Sequence, residues 1–164
     1  MSRKILGVWL AWLVFNLLPG PASATFHLVK VVEVFAGTTA EPTAQYVVLQ
    51  MYFPGQTLVT GHSMTVFDAN GAKVGTFTFS HNLSNGSTLA TMLIATPDAA
   101  TLFGITADLT MTPVIPLGGG AVCWDVVNCV AWGSFSASAS LPHLPDRRST
   151  RRLACSSTWR CTAT

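Results

Sequence analysis

The tetrapeptide Asp68-Ala69-Asn70-Gly71, set between two runs of alternating apolar and polar residues, constrains the fold of this chain more than any other feature. Asn-Gly tolerates the positive φ of a tight hairpin turn, and the flanking runs, residues 63–68 and 73–80, have the two-residue period of strands. In the second run Phe77 and Phe79 point one way while Thr76 and Thr78 point the other. The same reading extends along the chain. Residues 27–35 form an apolar-rich strand interrupted by Lys30 and Glu33. Residues 45–53 alternate, with Val47, Leu49, Met51 and Phe53 on one face and Tyr46, Val48, Gln50 and Tyr52 on the other. Residues 89–96 and 106–112 are further strands, the first preceded by a second Asn-Gly at Asn85-Gly86 and the second bounded by Pro113 and Pro116.

Residues 97–103 are the one short helical candidate, because Pro at a first helical position followed by Asp-Ala-Ala is a sound helix start. Gly118-Gly119-Gly120 reads as a flexible connection. Strands separated by turn residues every eight to twelve positions argue for an all-β sandwich rather than a parallel sheet. Composition agrees: charged residues make up only 10% of the chain, and Thr, Val, Ala, Gly and Ser dominate, as in all-β extracellular domains.

The N-terminus places that sandwich. Arg3 and Lys4 precede an apolar run over residues 5–18, and Pro19-Gly20-Pro21 leads into the small-residue triplet Ala22-Ser23-Ala24. This is the pattern of a secretory signal helix cleaved after Ala24. The run is shorter than the roughly 20 residues a bilayer span needs, so no membrane span is expected after its removal. The expected organisation is therefore a signal peptide over residues 1–24, one β-sandwich domain over residues 25–141 and a tail over residues 142–164, with the product secreted or held at the cell surface.

Charge divides the chain at the same boundary. Between residues 25 and 141 Lys30 and Lys73 face Glu33, Glu41, Asp68, Asp98, Asp108 and Asp125, a net charge of −4. Beyond residue 141 five arginines face Asp146 alone, a net charge of +4. The formal +2 of the whole chain describes neither part. Periodicity vanishes in the tail, which predicts a disordered, solvated segment. No aromatic residues interleave the four arginines of residues 147–152 to stack bases, so no nucleic-acid partner is expected.

Cys123 and Cys129 enclose five residues between the apolar flanks Ala121-Val122 and Val130-Ala131-Trp132. In an exported chain that arrangement predicts a hairpin disulfide rather than a metal site. Cys155 and Cys161 repeat the spacing without apolar arms and form a possible second disulfide.

These motifs carry a resemblance. Val31-Val32-Glu33-Val34, Gln45-Tyr46-Val47-Val48-Leu49, Gly61 leading into Met64-Thr65-Val66-Phe67-Asp68, Phe77-Thr78-Phe79, and Asn85-Gly86 before Met92-Leu93-Ile94-Ala95 follow one another as in lamin-tail-like domains of the secreted bacterial type. The later hairpin from Val122-Cys123 to Ala131-Trp132-Gly133 completes the likeness over about residues 28–135. The resemblance implies an immunoglobulin-like β-sandwich and an interaction or scaffold role. The chain departs from the pattern at Val32, Gln45, Val48 and His62, where the family has Asn, two acidic residues and Trp, and so lacks most of the acidic cluster that could hold a ligand.

Catalytic patterns are weak. Ser63 beside His62 has no nucleophile elbow, the Asp68 turn lacks the carboxylate that ends a calcium loop, and the triple glycine lacks the Lys-Ser/Thr of a phosphate loop. No cofactor or metal is expected. The favoured reading is a non-catalytic, secreted or cell-surface β-sandwich module that binds an extracellular partner, with Tyr46, Gln50 and Tyr52 as the candidate binding surface. The alternative is a small exported hydrolase with a site assembled near Glu33, His62, Ser63 and Asp68.

Overall fold

A computed structural model describes residues 26–125 and 127–136, together with the backbone of residues 150–152, 154–155 and 160–162. The signal helix and most of the tail lie outside these residues. Eight strands build the body: β1 (Val29–Phe35), β2 (Tyr46–Met51), β3 (Ser63–Asp68), β4 (Lys73–Thr78), β5 (Thr91–Ala95), β6 (Leu109–Thr110), β7 (Gly119–Trp124) and β8 (Asn128–Gly133). One helix, α1 (Pro97–Phe103), joins β5 to β6. Strands β1-β2-β5-β6 form one sheet and β4-β3-β7-β8 the other. All neighbours among these pair antiparallel except β5 and β6. The expected all-β, immunoglobulin-like sandwich is the architecture observed.

Three short stretches of tail backbone extend the sheets: β9 (Thr150–Arg152), β10 (Ala154–Cys155) and β11 (Arg160–Thr162). Strand β9 pairs with β8, and β11 pairs with β1 and with β10. The disorder expected from residue 142 onward falls mostly on residues outside those described, but these stretches are extended and paired. Cys155 and Cys161 are register partners across β10 and β11; their side chains lie outside the description.

The core follows from strand periodicity. Val47, Leu49 and Met51 of β2, Met92 and Ile94 of β5, Met64 and Val66 of β3, and Val122 and Trp124 of β7 meet Val130 and Trp132 of β8 in one layer between the sheets. Strand β1 cannot supply this layer by simple alternation, because Val29 and Val31 share its inner face with Val34. A register shift between Val31 and Glu33 resolves the conflict. One extra residue flips the phase of the strand, so that both halves bury their valines. A second irregularity lies in β4, where Val74 is the extra residue between the partners of Val66 and Phe67; β3 itself keeps its alternation, which turns Phe67 to the outer face.

Each outer face carries its own small apolar cluster. On the first sheet Phe35, Tyr46 and Ala95 pack with Ala44 and with Ala99 of α1. Helix α1 is fixed at both ends: the Thr96 hydroxyl accepts a hydrogen bond from Ala99 N–H, and Gly104 takes the left-handed conformation that stops it. On the second sheet Phe67, Ala121, Ala131 and Phe135 surround the disulfide Cys123–Cys129. These cysteines are register partners of β7 and β8, with Cα atoms 4.1 Å apart. The hairpin disulfide read from the spacing is present.

Three expectations require correction. Strand β2 ends at Met51, so Phe53 leaves the inner face and stands 56% exposed in the following loop. The strand expected over residues 106–112 is only Leu109–Thr110. The triple glycine is not a loose connection, since Gly119 and Gly120 begin β7 and are buried. The rings of Trp132 and the carbonyl of Phe67 close over Gly120, where a Cβ would collide with both. That close approach, rather than flexibility, is what the missing side chain provides.

Gln45 joins the ends of these elements from a buried position. Its amide nitrogen donates to the carbonyls of Ala36, Pro42 and Ile115 at 3.0–3.1 Å, and its carbonyl accepts from Ile115 N–H at 2.8 Å. One side chain thus ties β2 to the β1–β2 loop and to the segment before β7. Gln45→Ala would strand several buried backbone groups, each worth about 1–3 kcal/mol. Urea denaturation is expected to show a loss of about 3 kcal/mol or more, with the m-value unchanged. Loss of the disulfide in Cys123→Ser/Cys129→Ser, which closes a short loop, is expected to cost about 2 kcal/mol in the same assay.

Candidate functional site

The residues proposed as a binding surface do not form one exposed face. Tyr46 is only 6% exposed. Its ring stacks on Phe35 at 5.1 Å between centroids and meets Phe103 of α1 edge-on at 5.7 Å, while its hydroxyl donates to Glu33 Oε1 at 2.7 Å. The physical reason is α1, which folds over this face of the first sheet and buries what alternation alone left open. Gln50 is half-buried on β2, and Tyr52 lies beyond the strand, 46% exposed.

Nor do the residues of the hydrolase alternative converge. Glu33 sits on the first sheet with its carboxylate on Tyr46. Ser63 and Asp68 are the two ends of β3, five residues and so about 17 Å apart along a strand. Ser63 Oγ pairs with Thr78 Oγ1 at 2.7 Å, and Asp68 turns back to accept from the N–H groups of Asn70 and Ala72, closing its own hairpin. His62 alone gains a new polar partner, the carboxylate of Asp125. Backbone pairing brings these two together, because Asp125 N–H donates to Ser63 O at 2.9 Å.

The His62–Asp125 pair belongs to one end of the sandwich. There the segment before β1, the β2–β3 loop (residues 52–62), the β4–β5 loop (residues 79–90) and the β7–β8 turn come together. Phe26 stacks on the His62 ring, and its carbonyl accepts from Trp124 Nε1 at 3.1 Å. The two long loops are bound to one another: Gly55 N–H donates to Gly86 O at 2.8 Å, Leu83 N–H to Thr57 O at 3.1 Å, and the N–H and hydroxyl of Thr60 both donate to Asn82 Oδ1. Leu28 N–H donates to the side-chain carbonyl of Gln56, and Tyr52 N–H to Leu28 O. This end is a preformed platform.

Four of the large hydrophobic residues exposed among the described residues stand on that platform: Tyr52, Phe53, Leu58 (41% exposed) and Leu89 (61% exposed). The remaining three lie elsewhere, Val74 on β4 and Leu102 and Phe103 on α1. Leu89 takes φ 67°, a left-handed conformation that bulky residues rarely adopt. Its N–H is held by Met51 O at 2.8 Å, and Ala90 N–H by Ser87 O at 3.0 Å. The sequence pointed to Tyr52 but missed Phe53, Leu58 and Leu89. Period-two reading assigned Phe53 to the core, and nothing local marks Leu58 or Leu89 as exposed.

Among the described residues no three His, Cys, Asp or Glu side chains group closely enough to hold a metal ion. Compared with known proteins, the chain matches no family model, no curated protein and no solved structure.

The His62–Asp125 pair is about a quarter exposed on each side, so solvent screens most of its Coulomb attraction. Asp125→Asn keeps a residue that tolerates the positive φ at this position, 44°, while removing the charge. Chemical denaturation of this variant is expected to show a loss below about 1 kcal/mol.

Proposed function

We propose that the chain is a non-catalytic β-sandwich module of the lamin-tail-like kind, exported and acting by binding outside the cell or at its surface. Three features support export and family together. The leader pattern, a basic start and an apolar run closed by Ala22-Ser23-Ala24, is that of a cleaved signal peptide. The disulfide Cys123–Cys129 suits an oxidising compartment. The motifs that carry the resemblance fall in chain order on β1, β2, β3, β4 and β5, with the later hairpin formed by β7 and β8.

The observation that carries a binding role over hydrolysis is the separate engagement of Glu33, Ser63 and Asp68. Each has its own local partner, on a different element or at a different end of one strand. A nucleophile needs its base within about 3 Å, and the His62–Asp125 pair has no such hydroxyl bonded to it.

The full chain expressed with its leader in a secreting host tests both parts. N-terminal sequencing is expected to read from Thr25. Chromogenic ester and glycoside substrates are expected to show no turnover above buffer; turnover abolished by His62→Ala would overturn the non-catalytic reading.

A further inference from the structure

From the platform at the end of the sandwich we infer a docking site for the interfacial region of a lipid bilayer, reached by Tyr52, Phe53, Leu58 and Leu89. The inference rests on the binding reading above and names the surface and its ligand.

The first argument is charge. Residues 42–67 and 74–97, which contain both long loops, hold no Asp, Glu, Lys or Arg. Among the described residues the only charged side chain in the loops and turn of this end is Asp125, and it is paired with His62. The carboxylates of Glu41, Asp68 and Asp98 lie instead on the β1–β2 loop, the β3–β4 hairpin and the first turn of α1, toward the opposite end, while Asp108 flanks the middle of β5, its carboxylate accepting from Leu93 N–H. A surface that bears negative charge would repel that acidic end and meet the uncharged one, which orients the body with its loops inward. A strongly charged protein partner would find nothing complementary on the loops.

Chemistry and shape follow. The platform offers two aromatic and two aliphatic side chains among Asn, Ser, Thr, Gly and Gln. Tyrosine places a ring in the apolar layer and a hydroxyl at the headgroups, which is why it is enriched at membrane interfaces. Four side chains on two loops expose far less than the roughly 800 Å² per partner that a stable dimer buries. A shallow apolar insertion needs only a few side chains, and the bonds between the loops order them in advance.

Leu89 supplies an independent pointer. A turn that served only to reverse the chain at φ 67° would be relieved by Gly or Asn. The chain instead holds a leucine there with its side chain in solvent. Strain kept at an exposed apolar residue marks a contact made outside the chain.

The test uses the purified exported chain and large vesicles of phosphatidylcholine, separated by sedimentation at 50 and 500 mM salt as roughly low and high screening. The chain is expected to sediment with the vesicles equally at both salts. Phe53→Ser/Leu89→Asn is expected to lower the partition coefficient about tenfold or more, since each lost side chain removes a substantial apolar transfer term. Its melting temperature should be unchanged or raised, because Asn accepts the left-handed backbone that Leu resists, so loss of binding is not loss of fold.

Absence of sedimentation, or sedimentation unchanged in the double variant, overturns the inference. Binding that needs phosphatidylglycerol and disappears at high salt also overturns it, because the arginine-rich tail would then be the contact. Concentration-dependent light scattering that the double variant abolishes, without vesicle binding, assigns the platform to a second copy and overturns the lipid site. In that last case the binding reading stands; only turnover of the chromogenic substrates removes it.

Discussion

The layer of side chains between the two sheets is the contact on which every other feature of this molecule rests. It takes alternate residues from β1, β2, β3, β5, β7 and β8, with Trp124 as its largest fully buried member. Phe79 meets the Trp124 ring edge-on at 5.8 Å, and Phe26 approaches it from the end of the sandwich. The indole N–H would be costly to bury unpaired, so the Phe26 carbonyl that satisfies it also ties down the segment entering β1. Packing and hydrogen bonding therefore act on the same residues.

Apolar residues also lie outside this layer. One register shift, strand alternation and one helix reconcile that surplus with a two-layer fold. The shift in β1 keeps Val29, Val31 and Val34 facing inward, and plain alternation in β3 sends Phe67 outward to the disulfide cluster. Helix α1 covers Phe35 and Tyr46 on the far side. The outer faces of both sheets are thus partly occupied, and the loops at one end become the place where large apolar side chains remain in solvent. Among the described residues the loops at that end carry no charge except one carboxylate paired with a histidine, whereas Glu41, Asp68 and Asp98 lie toward the other end.

Much of the body was legible from period and punctuation. The Asn70-Gly71 turn, with Gly71 at φ 82°, is set by backbone sterics acting within four residues. The same holds for α1, whose Pro97 start, Thr96 cap and Gly104 stop are all local. The pairing of Cys123 with Cys129 was readable because the two positions face each other across a short hairpin. Tyr46 and Phe53 were misplaced for opposite reasons. Alternation left Tyr46 open, but a helix fifty residues later covers it; alternation buried Phe53, but the strand ends two residues before it. Neither outcome is encoded near the residue concerned.

The sequence by itself determined the all-β class, the strand periods and the hairpin turns, because each depends on interactions between residues close together in the chain. The tertiary structure decided which face of each sheet is covered, where the strand registers slip, that Gln45 bridges Ala36, Pro42 and Ile115, and that His62 meets Asp125 across 63 positions. It also gathered Tyr52, Phe53, Leu58 and Leu89 onto one end. Those relations join segments remote in sequence, and only the packing of two sheets against a shared interior fixes which segments become neighbours.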